Sequence, residues 1–123
     1  MAKTVLVVDD SGTVRQQVSM ALKQAGFETA EASDGREGLA IIESDRKIDM
    51  VISDVNMPNM NGLEMVEKIK SKPAYKTLPI IMLTTEGQPS MIKRAKEAGA
   101  AGWIVKPFNA GQLIQTAKHL TKD

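Results

Sequence analysis

Residues 5–10 read Val-Leu-Val-Val-Asp-Asp, an apolar run of strand length that ends directly in two acidic side chains. A largely apolar run followed at once by a reactive side chain occurs three more times along the chain: 50–53 before Asp54, 80–83 before Thr84, and 103–105 before Lys106. If these runs are neighbouring parallel strands, the reactive side chains meet at the edge where the strands end, which is where open α/β sheets bind ligands. The sequence therefore predicts one small pocket with three carboxylates, a hydroxyl and an amine, a combination suited to phosphate chemistry.

Segments of helical period separate five strand-like runs, and this alternation is typical of βα units around a parallel sheet. The predicted strands are 4–8, 27–32, 49–53, 79–83 and 102–105, of which the second is the least clear, and a helix follows each. Helix boundaries are predicted from Gly26 with positive φ, from Pro89 and Gly99 around the fourth helix, and from the capping-box spacings of Asp34 with Glu37, Asn61 with Glu64, and Asn109 with Gln112. We therefore expect residues 1–123 to form a single α/β domain, a doubly wound (βα)5 fold with helices on both faces of the sheet.

Composition narrows the functional classes. The 123 residues suffice for one hydrophobic core, and 16 Lys and Arg against 15 Asp and Glu give a net charge of +1, which favours neither a nucleic acid nor a membrane as partner. The chain has no cysteine, so disulfides, thiolate metal sites and cysteine nucleophiles are excluded. The N-terminus turns acidic too soon for a signal peptide, and no apolar run reaches membrane-spanning length. We expect a cytoplasmic protein.

The acidic residues at the strand ends create an electrostatic problem. Neighbouring strands lie about 4.8 Å apart, and two unit charges about 4 Å apart repel by about 4 kcal/mol at an effective dielectric constant of 20. Asp9, Asp10 and Asp54 therefore need either a shared proton or a bound cation. Lys106 supplies one positive charge, and a hard divalent ion with oxygen ligands, such as Mg²⁺, suits the remaining deficit.

A bound metal would allow a carboxylate to attack a phosphoryl group in line and form an aspartyl phosphate. Asp54 is the best candidate for the nucleophile because it stands singly on the predicted central strand, while Asp9 and Asp10 hold the metal. Thr84 and Lys106 would bind the phosphoryl oxygens. Simpler interpretations stay open: helix caps or turn residues for the aspartates, a local hydrogen bond for Thr84, and a surface position for Lys106.

The chain closely resembles the receiver domain of bacterial two-component response regulators. The resemblance rests on the acidic pair, on residues 54–62 (Asp-Val-Asn-Met-Pro-Asn-Met-Asn-Gly) and on residues 106–108 (Lys-Pro-Phe), and it covers essentially the whole chain. Within this family the chain is most similar to the stand-alone regulators of chemotaxis, without an output domain. The resemblance implies a flavodoxin-like sheet of strand order 2-1-3-4-5 and a cis peptide bond between Lys106 and Pro107.

The resemblance also assigns roles to the residues of the pocket. It implies that Asp54 accepts a phosphoryl group from the phosphohistidine of a sensor histidine kinase in a reaction that depends on Mg²⁺. Asp10, Asp54 and the backbone carbonyl of Asn56 would be metal ligands, and Asp9 would complete the metal site. Further residues implied are Thr84 and Trp103 as the conformational switch, Lys106 as the phosphate-binding amine, and Asn56, Thr85 and Glu86 as residues that tune dephosphorylation.

Two of these positions depart from the usual pattern of the family. Trp103 stands where chemotaxis regulators often have tyrosine, and a larger indole puts full inward rotation of this side chain in doubt. Thr85 stands where the family usually has alanine or glycine, and a bulkier residue would narrow access to the phosphoryl group.

The output surface implied by the resemblance is the face made by the fourth helix, fifth strand and fifth helix. Lys93, Arg94 and Lys96 make that helix basic, which favours a partner of acidic character. For a chemotaxis regulator the partner is the flagellar motor switch, a phosphatase is a possible second partner, and we expect a monomer. We expect no enzymatic activity beyond the chain's own phosphorylation and autodephosphorylation.

Three other functions are compatible with parts of this pattern. A phosphorelay intermediate or phosphate sink in a non-motor pathway would use the same chemistry. An aspartyl-phosphate hydrolase of small substrates is less favoured, because such enzymes need a carboxylate where this chain has Asn56. A flavin-binding flavodoxin is less favoured still, because no phosphate loop rich in Ser, Thr and Gly follows the first strand.

Overall fold

The computed structural model describes residues 2–122 and contains five parallel strands that alternate with five α-helices. The strands are β1 (Thr4–Val8), β2 (Glu28–Ala32), β3 (Met50–Ser53), β4 (Ile80–Thr84) and β5 (Gly102–Val105). The helices are α1 (Gly12–Gln24), α2 (Gly35–Glu43), α3 (Gly62–Lys70), α4 (Pro89–Ala98) and α5 (Ala110–Leu120), with a short 3₁₀ helix at Pro73–Tyr75. The sheet order is β2-β1-β3-β4-β5, which confirms the predicted fold class and the implied strand order.

The sheet divides the hydrophobic core into two layers. Leu6 and Val8 of β1 pack with residues of α2, α3 and α4, whereas Val5 and Val7 pack with residues of α1 and α5, because side chains alternate between the faces of a strand. The central strands β3 and β4 are buried along their whole length, so they read as continuous apolar runs. Edge strand β2 alternates between exposed and buried residues, which explains its weak signal in the sequence.

The helices begin and end where caps were predicted, but only one of the three predicted capping boxes is reciprocal. Gly26 and Gly99 follow α1 and α4 with φ of 97° and 107°, as predicted, because glycine adopts the left-handed conformation without strain. Asn61 forms a full capping box with Glu64. The other predicted pairs cap in one direction only: Asp34 accepts the N–H of Glu37, and Asn109 accepts that of Gln112. The carboxylate of Glu37 accepts the hydroxyl of Ser33 instead.

The strands end in register where reactive residues were predicted, and we call this edge of the sheet the carboxyl edge. Val8 of β1 pairs with Ser53 of β3, and the backbone N–H of Asp54 still donates to the carbonyl of Val8 at 3.0 Å. Thr84 is the last residue of β4 rather than the first after it. Pairing thus continues up to the reactive residues, so the sheet fixes their backbone. No helix within residues 2–122 is long and apolar enough to cross a bilayer.

Candidate functional site

Three carboxylates meet at the carboxyl edge where β1 and β3 end. Asp9 and Asp54 directly follow residues that are paired in the sheet, so they lie side by side. One oxygen atom from each of Asp9, Asp10 and Asp54 lies within 4.8 Å of the others. Asp9 and Asp54 are buried, whereas Asp10 is exposed. The predicted acidic cluster is therefore present, and one of its members opens to solvent.

Lys106 bridges the two buried acids. Its Nζ donates to Asp9 Oδ2 at 2.9 Å and to Asp54 Oδ2 at 3.1 Å, and only 14% of its side chain is exposed. Burial alone would lower the pKa of Lys106, but the hydrogen bonds and charges of the two carboxylates outweigh burial and raise the pKa above its ordinary value. The amine is charged and belongs to the pocket, so its interpretation as a surface lysine is wrong. The peptide bond that follows Lys106 is cis, as implied.

The remaining carboxylate oxygens differ in how they are engaged. Asp9 Oδ1 accepts the N–H of Ser11 at 2.9 Å, and Ser11 itself caps α1 by accepting the N–H of Val14. Asp54 Oδ1 accepts the N–H of Val55 at 2.6 Å. The side chain of Asp10 accepts no hydrogen bond within the described part of the chain. Asp9 thus has both a local turn role and a place in the acidic cluster, while Asp10 keeps its lone pairs open.

The donor set of this cluster fits a hard divalent cation. All candidate ligand atoms are oxygens, and among residues 2–122 no group donates a hydrogen bond to the carbonyl oxygen of Asn56. Lys106 compensates one negative charge of the three carboxylates, so a cation would be stabilised by the charge that remains. Mg²⁺ prefers oxygen ligands and usually binds one or two carboxylates together with water. The arrangement therefore suits a Mg²⁺ ion placed next to a nucleophilic carboxylate.

The backbone of Glu86 connects Thr84 to Trp103. Thr84 is fully buried, and its Oγ1 accepts the N–H of Glu86 at 3.2 Å, the local hydrogen bond expected of a strand-end threonine. The indole Nε1 of half-buried Trp103 donates to the carbonyl of the same residue at 2.9 Å. A displacement of the Thr84 hydroxyl would therefore act on the loop segment to which the indole is bonded.

The three residues predicted to tune dephosphorylation lie at the carboxyl edge. Asn56 Nδ2 donates to Glu86 Oε1 at 2.6 Å, so these two side chains bridge the loops that follow β3 and β4. Thr85 is exposed and lines an apolar hollow of about 490 Å³ beside Lys106, together with Phe108. The structure brings all three side chains to the rim of the pocket, and their roles remain predictions.

Sequence reasoning missed two side chains that hold the site in place. Arg15 donates from Nη1 to the carbonyl of Asp9 at 2.6 Å, and its Nε donates to Glu31 at 3.1 Å. Asn59, with a positive φ of 66°, donates to the carboxylate of Asp34 at 2.7 Å. The position of Asn59 in a Pro-Asn turn is a usable signal, because asparagine tolerates the left-handed region. The contacts of Arg15 depend on the packing of α1 against β2 and leave no signal in the sequence.

The basic surface of α4 is smaller than its sequence indicates. Arg94 donates to both carboxylate oxygens of Glu67 on α3, at 2.8 Å and 3.0 Å. This hydrogen bond lowers the pKa of Glu67 and raises that of Arg94, so both groups stay charged and compensate each other. Lys93 and Lys96 remain exposed on α4 and carry the basic character of that face.

Comparison with known proteins gives a consistent result. The family model described as the response regulator receiver domain matches residues 5–118. The chain is 42% identical over 104 residues to the chemotaxis protein CheY1 of Helicobacter pylori, which is 84% of either chain. It is 41% identical over 104 residues to a CheY homologue of Campylobacter jejuni, which is 84% of this chain and 80% of the relative.

The solved structure of the chemotaxis response regulator CheY4 of Vibrio cholerae is similar over nearly its full length. It aligns with a TM-score of 0.90 and 46% identity, covering 98% of this chain and 99% of that one. A putative response regulator from Chloroflexus aurantiacus aligns with a TM-score of 0.90 and 34% identity over the whole of both chains. Likeness in sequence and likeness in structure therefore lead to the same group of proteins.

Proposed function

The chain belongs to the family of response regulator receiver domains, and from this premise we propose that it accepts a phosphoryl group on Asp54 from a sensor histidine kinase, with Mg²⁺. The observation that carries the proposal is the position of the Asp54 carboxylate. It is bonded to the charged Lys106 and lies within 4.8 Å of two further acids. A carboxylate held by a charged amine, next to the exposed Asp10, is placed to attack phosphorus.

Mg²⁺ would be held by Asp10, Asp54 and the backbone carbonyl of Asn56, with Asp9 beside them. When bound, the ion neutralises charge on the phosphoryl oxygens and orients the group for in-line displacement. Asp9 is already engaged by Ser11 and Lys106, so its contribution is to fix the amine and to add negative charge to the site. Asp10 is the member of the cluster most open to a metal.

The transfer step uses residues that the sheet has already aligned. A carboxylate oxygen of Asp54 attacks phosphorus, the bond from phosphorus to the donor imidazole nitrogen breaks, and the imidazole keeps the electron pair. Lys106 and the hydroxyl of Thr84 then bind phosphoryl oxygens, for which Lys106 exchanges its bond to Asp54 and Thr84 moves away from Glu86. Hydrolysis of the resulting acyl phosphate ends the signal, and Asn56, Thr85 and Glu86 set its rate.

The proposed output is a chemotaxis signal. Relatives at 41–42% identity are chemotaxis proteins, and the exposed Lys93 and Lys96 on α4 suit an acidic partner segment on the face formed by α4, β5 and α5. We propose that a monomeric chain in the cytoplasm carries this signal to the flagellar motor switch. A phosphatase that acts on the aspartyl phosphate would be a second partner.

Labelling with a small phosphodonor tests the assignment of Asp54. Wild type incubated with radiolabelled acetyl phosphate and Mg²⁺ is expected to gain label that is lost in alkali, and Asp54→Asn is expected to gain none. Asp45→Asn is the matched control, because Asp45 is exposed and lies away from the cluster. Equal labelling of Asp54→Asn and wild type would show that another residue is the acceptor.

A further inference from the structure

Arg15 fixes the peptide group that joins the first two acids of the cluster. It lies on α1 one turn beyond the capping residue, and its guanidinium reaches back over the loop. Nη1 donates to the carbonyl of Asp9 at 2.6 Å, while Nε donates to Glu31 at 3.1 Å. The side chain is 23% exposed. A charged group is thus held against the backbone of the cluster without an ion pair to any of its carboxylates within the described residues.

The geometry of Asp10 depends on this backbone. Its side chain accepts no hydrogen bond from residues 2–122, so nothing but the main chain orients it. A peptide group is planar, and a bond that fixes the carbonyl of Asp9 therefore also fixes the N–H and Cα of Asp10. The other contacts of Asp9 act on its N–H and its carboxylate, through Ala32, Ser11 and Lys106. Arg15 alone, among the described residues, holds the carbonyl.

We propose that Arg15 is a positioning residue for the metal site, and this inference rests on the proposed Mg²⁺-dependent function. The planar fork of arginine makes two bonds in different directions, and Glu31 at the end of β2 holds the fork in place. A lysine at this position would keep the charge but not both bonds. Removing a residue that hydrogen-bonds to a metal ligand and orients it typically weakens metal binding by about 10- to 100-fold.

Charge and positioning predict opposite effects on Mg²⁺ affinity. If Arg15 acted only as a positive charge near the pocket, Arg15→Ala would remove repulsion and tighten Mg²⁺ binding, and Arg15→Lys would change little. If Arg15 positions Asp10, both variants weaken binding although one of them keeps the charge. The sign of the change in Arg15→Ala and the size of the change in Arg15→Lys separate the two.

Isothermal titration with MgCl₂ measures this affinity without phosphorylation. We expect Arg15→Ala and Arg15→Lys to bind Mg²⁺ about tenfold more weakly than wild type, with acetyl phosphate labelling restored by saturating Mg²⁺. Arg94→Lys is the matched control, because Arg94 also pairs with a glutamate but lies on α4 away from the cluster. A cooperative urea unfolding transition in EDTA shows that a variant is folded. If Arg15→Ala is unfolded, the Mg²⁺ affinity of Arg15→Lys decides between charge and positioning.

Two outcomes would overturn the inference in distinguishable ways. If wild type binds Mg²⁺ and both Arg15 variants bind it equally well or more tightly, Arg15 does not position the site and the proposed function stands. If wild type itself takes up no Mg²⁺, the proposed function fails and the inference fails with it.

Discussion

Lys106 is shared by two acids that would otherwise repel each other. Its Nζ lies 2.9 Å from Asp9 and 3.1 Å from Asp54, in a position where only 14% of the side chain meets solvent. At such distances the attraction between opposite charges is several kcal/mol even at an effective dielectric constant of about 20. The amine therefore stabilises the pocket, and it would compete with Mg²⁺ for the same carboxylates.

Lys106→Met is expected to separate these two effects. Removing the amine leaves three carboxylates with less compensation, so Mg²⁺ affinity should rise several-fold while the metal-free protein becomes less stable. Phosphorylation should slow by about 100-fold, because the phosphoryl oxygens lose one charged donor. Titration with MgCl₂ and labelling by acetyl phosphate measure the two quantities. Lys93→Met is the control for loss of an exposed lysine, and weaker Mg²⁺ binding in Lys106→Met would contradict the competition.

Gly62 allows the first turn of α3 to lie against the backbone of Asp54. A Cβ at this position would lie 2.0 Å from the carbonyl oxygen of Asp54 and 2.9 Å from the side chain of Met82. The 2.0 Å contact is with backbone, so relieving it would require the end of β3 or the first turn of α3 to shift. The close approach explains why glycine ends the motif at residues 54–62.

Gly62→Ala is expected to lower the free energy of unfolding by about 1–3 kcal/mol or more, as overpacked core substitutions do. Gly87→Ala is the matched control, since a Cβ there meets no atom within 4 Å, and its effect should stay within about 0.5 kcal/mol. Urea unfolding of both variants in EDTA measures the difference. Similar stabilities for the two variants would show that α3 can shift without penalty.

Single residues at strand ends were well predicted, and residues that act through packing were not. Asp9, Asp54 and Lys106 follow apolar runs directly, so the pairing of parallel strands is enough to place them at the same edge of the sheet. The hydrogen bond between Asn56 and Glu86 joins positions 30 residues apart, and its geometry depends on how two loops fold back over the pocket. No local pattern in the sequence records such a contact.

At the scale of elements, α2 and the loop after β3 are joined at one carboxylate. Asp34 caps α2 by accepting the N–H of Glu37 at 2.9 Å, and its second oxygen accepts the side-chain amide of Asn59 at 2.7 Å. The backbone N–H of Gly35 also donates to the carbonyl of Met60. The start of one helix therefore holds the loop that leads from Asp54 to α3.

The Asp34 contacts predict an acid-sensitive contribution to stability. The hydrogen bond from Glu37, followed by that from Asn59, lowers the pKa of Asp34 from its ordinary value of 3.8. Because the folded-state pKa is the lower one, the contribution is fully present above pH 3.8 and is lost as the pH falls through the folded value. Asp34→Asn keeps a good capping side chain without the charge. It should be less stable than wild type at pH 6, and the difference should shrink toward pH 3.

Urea unfolding of wild type and Asp34→Asn at both pH values gives this difference. Asp45→Asn, which removes an exposed carboxylate, serves as the control for a general change in net charge. A difference between wild type and Asp34→Asn that does not vary with pH would mean that the charge of Asp34 is unimportant and that only the shape of the cap matters.

All five strands were predicted to within one residue at either end, although the sequence signal of β2 was the least clear. Helices cover both faces of the central strands, so apolar residues follow one another there without alternation, and β3 begins at Met50 rather than at residue 49 while β4 spans Ile80–Thr84 rather than 79–83. β2 begins at Glu28 rather than at Phe27, because Phe27 already packs against α1 as part of the turn. The capping-box spacing at Asp34 and Asn109 predicts the hydrogen bond to the cap side chain, but it does not show whether the residue three positions later accepts the backbone N–H of the cap in return.

Across the whole molecule, Glu86 links the pocket to β5. Thr84 is bonded to the N–H of this residue and Trp103 to its carbonyl, so we expect a movement of the buried hydroxyl to reach an aromatic side chain on β5. The family resemblance paired Thr84 with Trp103 but did not give Glu86 as the residue that joins them. The indole bond itself could not be predicted, because it depends on the conformation of the loop after β4.

Trp103 emission is expected to report this link. Adding beryllofluoride with Mg²⁺, as a phosphoryl mimic, should change the emission of wild type because the indole loses or alters its bond to Glu86. Thr84→Ala should bind the mimic with little change in emission, whereas Thr84→Ser, which keeps the hydroxyl, should respond as wild type does. Trp103 is the only tryptophan, so the signal needs no further labelling. Emission that stays constant in wild type would exclude Trp103 from the switch.

The close contact between Gly62 and Asp54 makes one side of the pocket more rigid than the other. The backbone of Asp54 is fixed by the sheet and by the packed turn of α3, and it also accepts the Ser53 hydroxyl. On the opposite side, Glu86 and Trp103 are only half-buried. The side of the pocket that carries Asp54 is thus a rigid support, and a phosphoryl group added there would be accommodated by movement in one direction, toward β5 and the surface beyond it.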